Sequence, residues 1–286
     1  MRGFAAALLC YIAWGLLPFY MKQLADVPVA EVIAHRVLWA LPCAGLLLLF
    51  TGGMPALRQA VRAPRVFGMA AVTASLITCN WGVYTWAVIN DRTLDTALGY
   101  YINPLVSVLL GVALLGERLD RAQKIAIALA ASAVALLALR SGGIPWVSLA
   151  LPVTFAMYGY LRKTMPVGAL QGFTLEVLIL SVPAAAYVAW LTATGGNHFG
   201  AVASDSFWLM MAGPVTAGPL VLFAVGARNL QLSTIGVMQY LAPTLAFLVA
   251  VFAFGEPFSP IQAAAFGLIW VGLAIFTWSS LARRRR

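Results

Sequence analysis

The sequence predicts an all-α membrane protein of ten transmembrane helices, built as two inverted five-helix repeats. Three observations predict it. The 286 residues are 62% hydrophobic and only 9% charged, whereas a soluble domain carries roughly 25% charged residues. So apolar a chain lacks the polar cover its own surface would need in water. Second, the chain repeats itself. Residues 95–124 and 234–263 align at a constant offset of 139 and share Tyr101/Tyr240, Pro104/Pro243, Leu109/Leu248, Val112/Val251, Gly116/Gly255, Glu117/Glu256 and Gln123/Gln262. Third, Lys and Arg fall mostly on one side of the apolar segments.

A spanning helix needs about 20 mainly apolar residues. Ten segments meet this: 3–21, 29–51, 66–89, 95–115, 122–140, 146–163, 169–191, 206–228, 234–254 and 260–281. The first follows a single Arg, has no small-x-small cleavage site and contains Tyr11, Trp14 and Pro18, so a retained span is expected rather than a signal peptide. The connections are short except 52–65 and 192–205, and no soluble domain is expected between them. Two halves follow, 1–143 and 144–286, each with five spans.

With the N-terminus as reference, its side holds 14 Lys and Arg residues and the other side four: Lys22, Arg36, Arg92 and Arg140. The positive-inside rule then puts both termini in the cytoplasm. An odd number of spans per half makes the second half enter the membrane upside down. This is the plan of many secondary transporters, whose substrate site lies near the midplane between the halves. The two Gly-Glu turns, Glu117 inside and Glu256 outside, read as structural: Gly ends a helix and Glu favours a helix N-terminus.

The formal charge of +9 does not mark a nucleic-acid binder, because the positive residues sit in short gaps between apolar runs. Cys10, Cys43 and Cys79 lie inside apolar segments without metal-ligand spacing. No nucleophile or metal ligand accompanies His35 or His198, and no phosphate-binding loop occurs, so neither enzyme chemistry, a metal, a cofactor nor ATP-driven transport is expected.

The candidate site residues are polar or aromatic groups inside spans. Asn80 and Tyr84 share a face of the third span, beside a strip carrying Trp81 and Thr85. Asn80 in lipid must face protein or water, as helix–helix glue or as a cavity wall. Tyr100, Tyr101 and Asn103 precede Pro104, and Gln239 and Tyr240 precede Pro243; each Pro removes a backbone donor and can bend its helix or free a carbonyl. Trp14-Gly15 and Tyr158-Gly159 pair an aromatic with a Gly that permits close helix approach. The eighth span carries Gly213-Pro214, Gly218-Pro219 and Phe223, which predicts a bent helix opposite the third. Four charges remain as coupling or gate groups: Glu31, His35, Arg36 and Glu176. Glu31 and His35 are spaced to pair. Arg36 is expected to meet Asp91 or Asp95, Glu176 to meet Arg162, Lys163 or Arg228, and His198 to be solvated in its loop.

Several stretches, in order, resemble the drug/metabolite transporter superfamily in its EamA-type branch, and more closely the bacterial RarD-type permeases. They are 14–22 (WGLLPFYMK), 31–36 (EVIAHR), 98–105 (LGYYINPL), 114–118 (LLGER), 158–163 (YGYLRK), 232–234 (LST) and 239–244 (QYLAPT). The resemblance implies a ten-helix bacterial inner-membrane exporter with a central cavity. Because the superfamily includes the YddG-type amino-acid exporters, it also implies small amphipathic cargo. The resulting expectation is a monomer in membrane lipid that exports neutral or aromatic amino acids by alternating access. Ring faces would come from Trp14, Tyr84, Tyr101, Tyr158 and Tyr240, and amide groups from Asn80, Asn103 and Gln239. No charge is expected at the midplane, so binding is expected to be loose. A drug exporter and a non-transporting scaffold are the alternatives.

Overall fold

A computed structural model describes residues 2–115, 119, 121–141, 144–230 and 238–283. Among them every regular element is helical: α1 Arg2–Gly15, α2 Leu17–Lys22, α3 Val29–Thr51, α4 Met54–Arg62, α5 Pro64–Ile89, α6 Thr93–Leu115, α7 Arg121–Ser141, α8 Trp146–Thr164, α9 Ala169–Thr194, α10 Ala203–Asn229, α11 Leu241–Leu248 with a π-helical turn Val249–Ala253, and α12 Pro260–Arg283. Eight helical segments are long and apolar enough to cross a membrane, α1 and α2 counting as one. Of the other two expected spans, α8 is too polar to count among them, and the ninth is described only from Met238 onward. The Gly116-Glu117 turn lies outside the described residues.

The ends of the helices follow local chemistry. Pro lies at the first or second position of α2, α4 and α5, where a missing N–H costs nothing. Gly52 and Gly195 close α3 and α9 with φ of 67° and 72°, the left-handed conformation that glycine adopts freely. Two features depart from expectation. The first span breaks at Leu16, just before Pro18. The connection 52–65 contains α4, whose Arg58 and Arg62 are exposed while Ala60 packs beside Val66, Met165 and Leu175. Such a short amphipathic helix suits a membrane surface.

The expected proline bends take different forms. Pro104 in α6, and Pro214 and Pro219 in α10, lie inside uninterrupted α-helices. Pro243 is instead in the first turn of α11, where the N–H groups have no intrahelical partner to lose. The two copies of the repeat therefore use their prolines differently.

α3 packs on α9 and α10, α5 on α8 and α9, α1 on α10 and α11, α6 on α8 and α11, and α7 on α12. Small residues at 0–1% exposure, among them Ala40, Ala44, Ala70 and Ala74, let these helices approach closely. Phe50 and Leu139 are each 86% exposed on the outer surface, positions that only lipid covers favourably.

Glu256 ties the segment before α12 to the start of α6. After Gly255 (φ 66°), its carboxylate accepts hydrogen bonds from the backbone N–H of Thr93 (2.8 Å) and Leu94 (2.9 Å). It thus caps the start of α6, not the helix that follows it. Replacing Glu256 with Ala orphans two buried donors and should cost about 2 kcal/mol, read as a lower unfolding temperature in detergent.

Candidate functional site

The candidate residues separate into five groups, placed by the packing of the helices and of the 192–205 loop. The first gathers around Arg36, seven residues after Val29 at the start of α3. Its Nε donates to Thr216 Oγ1 of α10 at 2.9 Å, and its guanidinium lies 4.2 Å from the centre of the Trp81 ring. Both contacts suit a cation removed from water. The hydroxyls of Tyr20, Tyr84 and Tyr100 form its electrostatic surroundings. Tyr84 and Tyr100 lie 6.0 Å apart between ring centres. Arg36 therefore meets neither Asp91 nor Asp95: Asp91 pairs with Lys22 and Asp95 with Arg92.

Asn80 adjoins this group and is buried. Its amide donates to the Leu151 carbonyl (3.0 Å) and Thr154 Oγ1 (2.9 Å) of α8, and its oxygen accepts from the Tyr100 hydroxyl (3.3 Å). It acts as glue between α5 and α8 and at the same time orients Tyr100. Thr216 is the member that the sequence reading did not name. Thr216, a lone hydroxyl between the two Gly-Pro pairs, was the available signal.

The second group is the Glu176 cluster. Thr73 donates to Glu176 Oε1 at 2.7 Å, Tyr158 donates to Oε2 at 3.2 Å, and Arg162 Nη1 is 3.6 Å from Oε1. Of the basic partners considered for Glu176, Arg162 is in contact, and the Arg228 side chain lies outside the described residues. One carboxylate thus ties α5, α8 and α9 together, and it accounts for Tyr158.

The third group is aromatic. Tyr101 and Tyr240 stack at 6.4 Å with planes 19° apart, and Tyr101 shares a 2.6 Å hydrogen bond with Thr244. Phe266 and Trp270 of α12 close around Tyr101. Gln239 precedes Tyr240 in the chain, and Asn103, two residues after Tyr101, has a buried side-chain oxygen without a partner. In the fourth group, Trp14 and Phe223 lie 5.9 Å apart beside Tyr11. Gly15 lets α1 touch Leu245 and Ala242, whereas a Cβ on Gly159 would meet nothing within 4 Å. Close approach is thus the role of only the first of these glycines.

At the Val29 end of α3 the expected Glu31–His35 pair does not form. Glu31 accepts from His198 Nδ1 (2.7 Å) and from the backbone N–H of His198 (2.8 Å) and Phe199 (3.4 Å). His198 is accordingly a half-buried partner, not a solvated one. The His35 ring stacks on Phe199 at 4.9 Å, with both nitrogens buried and unpartnered.

Comparison with known proteins fits an arrangement made for recognition. The EamA-like transporter family matches residues 1–139. Protein RarD of Streptomyces exfoliatus is 42% identical over all of this chain and 90% of its own length. A chloramphenicol-sensitive protein RarD of Pseudomonas aeruginosa is 32% identical over all of this chain and 96% of its own. The fold is shared with a protein of solved crystal structure at a TM-score of 0.60 and 23% identity, covering all of this chain and 97% of that one. The chain is a multi-pass membrane transporter, not an enzyme, and belongs to the EamA-like family of the drug/metabolite transporter superfamily as a RarD-like permease.

Proposed function

We propose that the protein is a secondary exporter of small amphipathic metabolites, foremost amino acids with apolar or aromatic side chains, across the bacterial inner membrane. The observation that carries this reading is the buried polar and aromatic surface of Asn80, Trp81, Tyr84 and Tyr100 on α5 and α6, facing Arg36 of α3 and Thr216 of α10. Ring faces and single hydrogen-bonding groups fit a small ligand with an apolar part and a polar end.

Ten spans in two inverted halves, 1–143 and 144–286, support alternating access. Exchanging corresponding helices of the halves maps the contacts of α1 with α10 and α11 onto those of α8 with α5 and α6, and leaves the α3–α9 and α7–α12 contacts in place. With both termini cytoplasmic, the ties Glu31–His198, Lys22–Asp91, Tyr20–Trp208 and Glu256 to α6 all lie on the outer side. They support the reading of a transporter closed to the outside.

Purified protein in liposomes should exchange labelled phenylalanine and other neutral amino acids, measured with and without an imposed pH gradient. Absence of exchange across a broad amino-acid panel would sink the cargo assignment. Asn80→Ala, which frees Tyr100 and removes the amide donor that ties α5 to Leu151 and Thr154 of α8, should cut flux about tenfold at unchanged expression, for a loss of about 1–2 kcal/mol in transition-state stabilisation. A scaffold would leave no flux to lose.

The chloramphenicol-sensitive relative favours a second reading, export of small apolar antibiotics. Chloramphenicol resistance and amino-acid efflux, measured in one host with and without the gene, separate the two.

A further inference from the structure

Among the described residues the buried charges are not treated alike. Glu31 has His198 and two backbone donors, Glu176 has Arg162 with two hydroxyls, and Glu256 has two backbone donors. Arg36 has no carboxylate within ion-pair distance. It is 7% exposed, and its Nη1 has no hydrogen-bond partner. Glu176, seven residues after the start of α9 as Arg36 is after the start of α3, shows what a neutralised charge at the corresponding place looks like.

An isolated cation in a membrane interior is costly and marks a site that uses it. Thr216 holds Nε, and Trp81 supports the guanidinium face. This leaves the Nη edge as the part free to receive a ligand. Guanidinium edges bind carboxylates with two parallel hydrogen bonds. The surroundings specify the rest of the ligand: Trp81, Tyr84 and Tyr100 offer ring faces. No described carboxylate stands beside Arg36 to bind an ammonium group, because Glu176 is engaged elsewhere with Thr73, Tyr158 and Arg162.

We propose that Arg36 is the anion anchor of the transport site, binding the carboxylate of an aromatic or apolar monocarboxylate whose α-amino group is dispensable. The proposal rests on the exporter reading above and narrows its cargo: the carboxylate is required, while the zwitterion is not. It also replaces the expectation of a site without charge.

The experiment measures the rise in unfolding temperature of the full-length protein in detergent, titrated with phenylalanine, 3-phenylpropionate and phenylalanine amide. In the wild type, phenylalanine and 3-phenylpropionate should act at similar concentrations, and the amide should require at least tenfold more. In Arg36→Gln this preference should vanish, and in Arg36→Lys, which keeps the charge without the planar edge, it should shrink. Equal responses to phenylalanine and its amide in the wild type overturn the proposal, as does a silent wild type or a preference that survives in Arg36→Gln. A response to phenylalanine but not to 3-phenylpropionate overturns the dispensable amine. Should Arg36→Gln fail to fold, the wild-type comparison still decides. Liposome exchange separates this idea from the exporter reading. Amino-acid flux unchanged in Arg36→Gln removes the anchor and leaves the exporter, whereas carboxylate-selective stabilisation without amino-acid flux keeps the anchor and removes the amino-acid cargo.

Discussion

Glu176→Ala is expected to lower the unfolding free energy by about 3–5 kcal/mol, the cost of breaking a buried ion pair from one side. Glu176 is 1% exposed, and its removal strands Thr73, Tyr158 and Arg162 at once. The Arg162 guanidinium also donates to the Ala169 carbonyl at 2.7 Å, so it stays fixed in place without its counter-charge. The loss should fall mainly on the joint between α5, α8 and α9. Glu176→Gln keeps one acceptor oxygen for one of the two hydroxyls, and its NH2 can donate to the other, so it should recover part of the loss. Thermal unfolding of the purified variants in detergent measures both. A Glu176→Ala variant as stable as the wild type would mean that the cluster does not hold these helices together.

The same cluster shows where sequence reasoning works in this protein and where it stops. Span existence is legible because the bilayer leaves few options: a long apolar run must be a helix with its backbone bonds closed internally. The expected 29–51 and 260–281 correspond to Val29–Thr51 and Pro260–Arg283. Rotation about the helix axis is far less legible, because one residue turns a side chain by about 100°. Arg162 could be reached from the short connection between α8 and α9, so it stood among the expected partners of Glu176. Arg36 and Thr216 are 180 residues apart, and Glu31 and His198 are 167 apart. Only the packing of α3 on α10 and the path of the 192–205 loop bring those pairs together. Tyr100 and Tyr101 illustrate the same limit at single-residue resolution. Adjacent and chemically alike, one faces Asn80 and the other faces Thr244 and α12. α4 was missed because its nine residues are too few and too polar for a span, although their amphipathic pattern was present.

The two Gly-Pro pairs of α10 are alike in sequence and should differ sharply under substitution. A Cβ on Gly213 would fall on the backbone carbonyl of Trp39 in α3, whereas one on Gly218 would meet nothing within 4 Å. A backbone carbonyl inside a helix has no alternative rotamer, so relief requires α3 and α10 to separate. Gly213→Ala should therefore cost about 3 kcal/mol, the upper end for overpacking. Gly218→Ala should be neutral or gain up to about 1 kcal/mol from helix propensity. The functional consequence follows from geometry: Thr216 is one turn from Gly213 and Arg36 one turn from Trp39, so separating the helices lengthens the 2.9 Å Arg36–Thr216 bond. Gly213→Ala should lose transport as well as stability, and Gly218→Ala should keep both. Unfolding temperatures and liposome flux for the two variants test this, and equal behaviour would rule out a tight α3–α10 contact at Gly213 as the support of the Arg36 site.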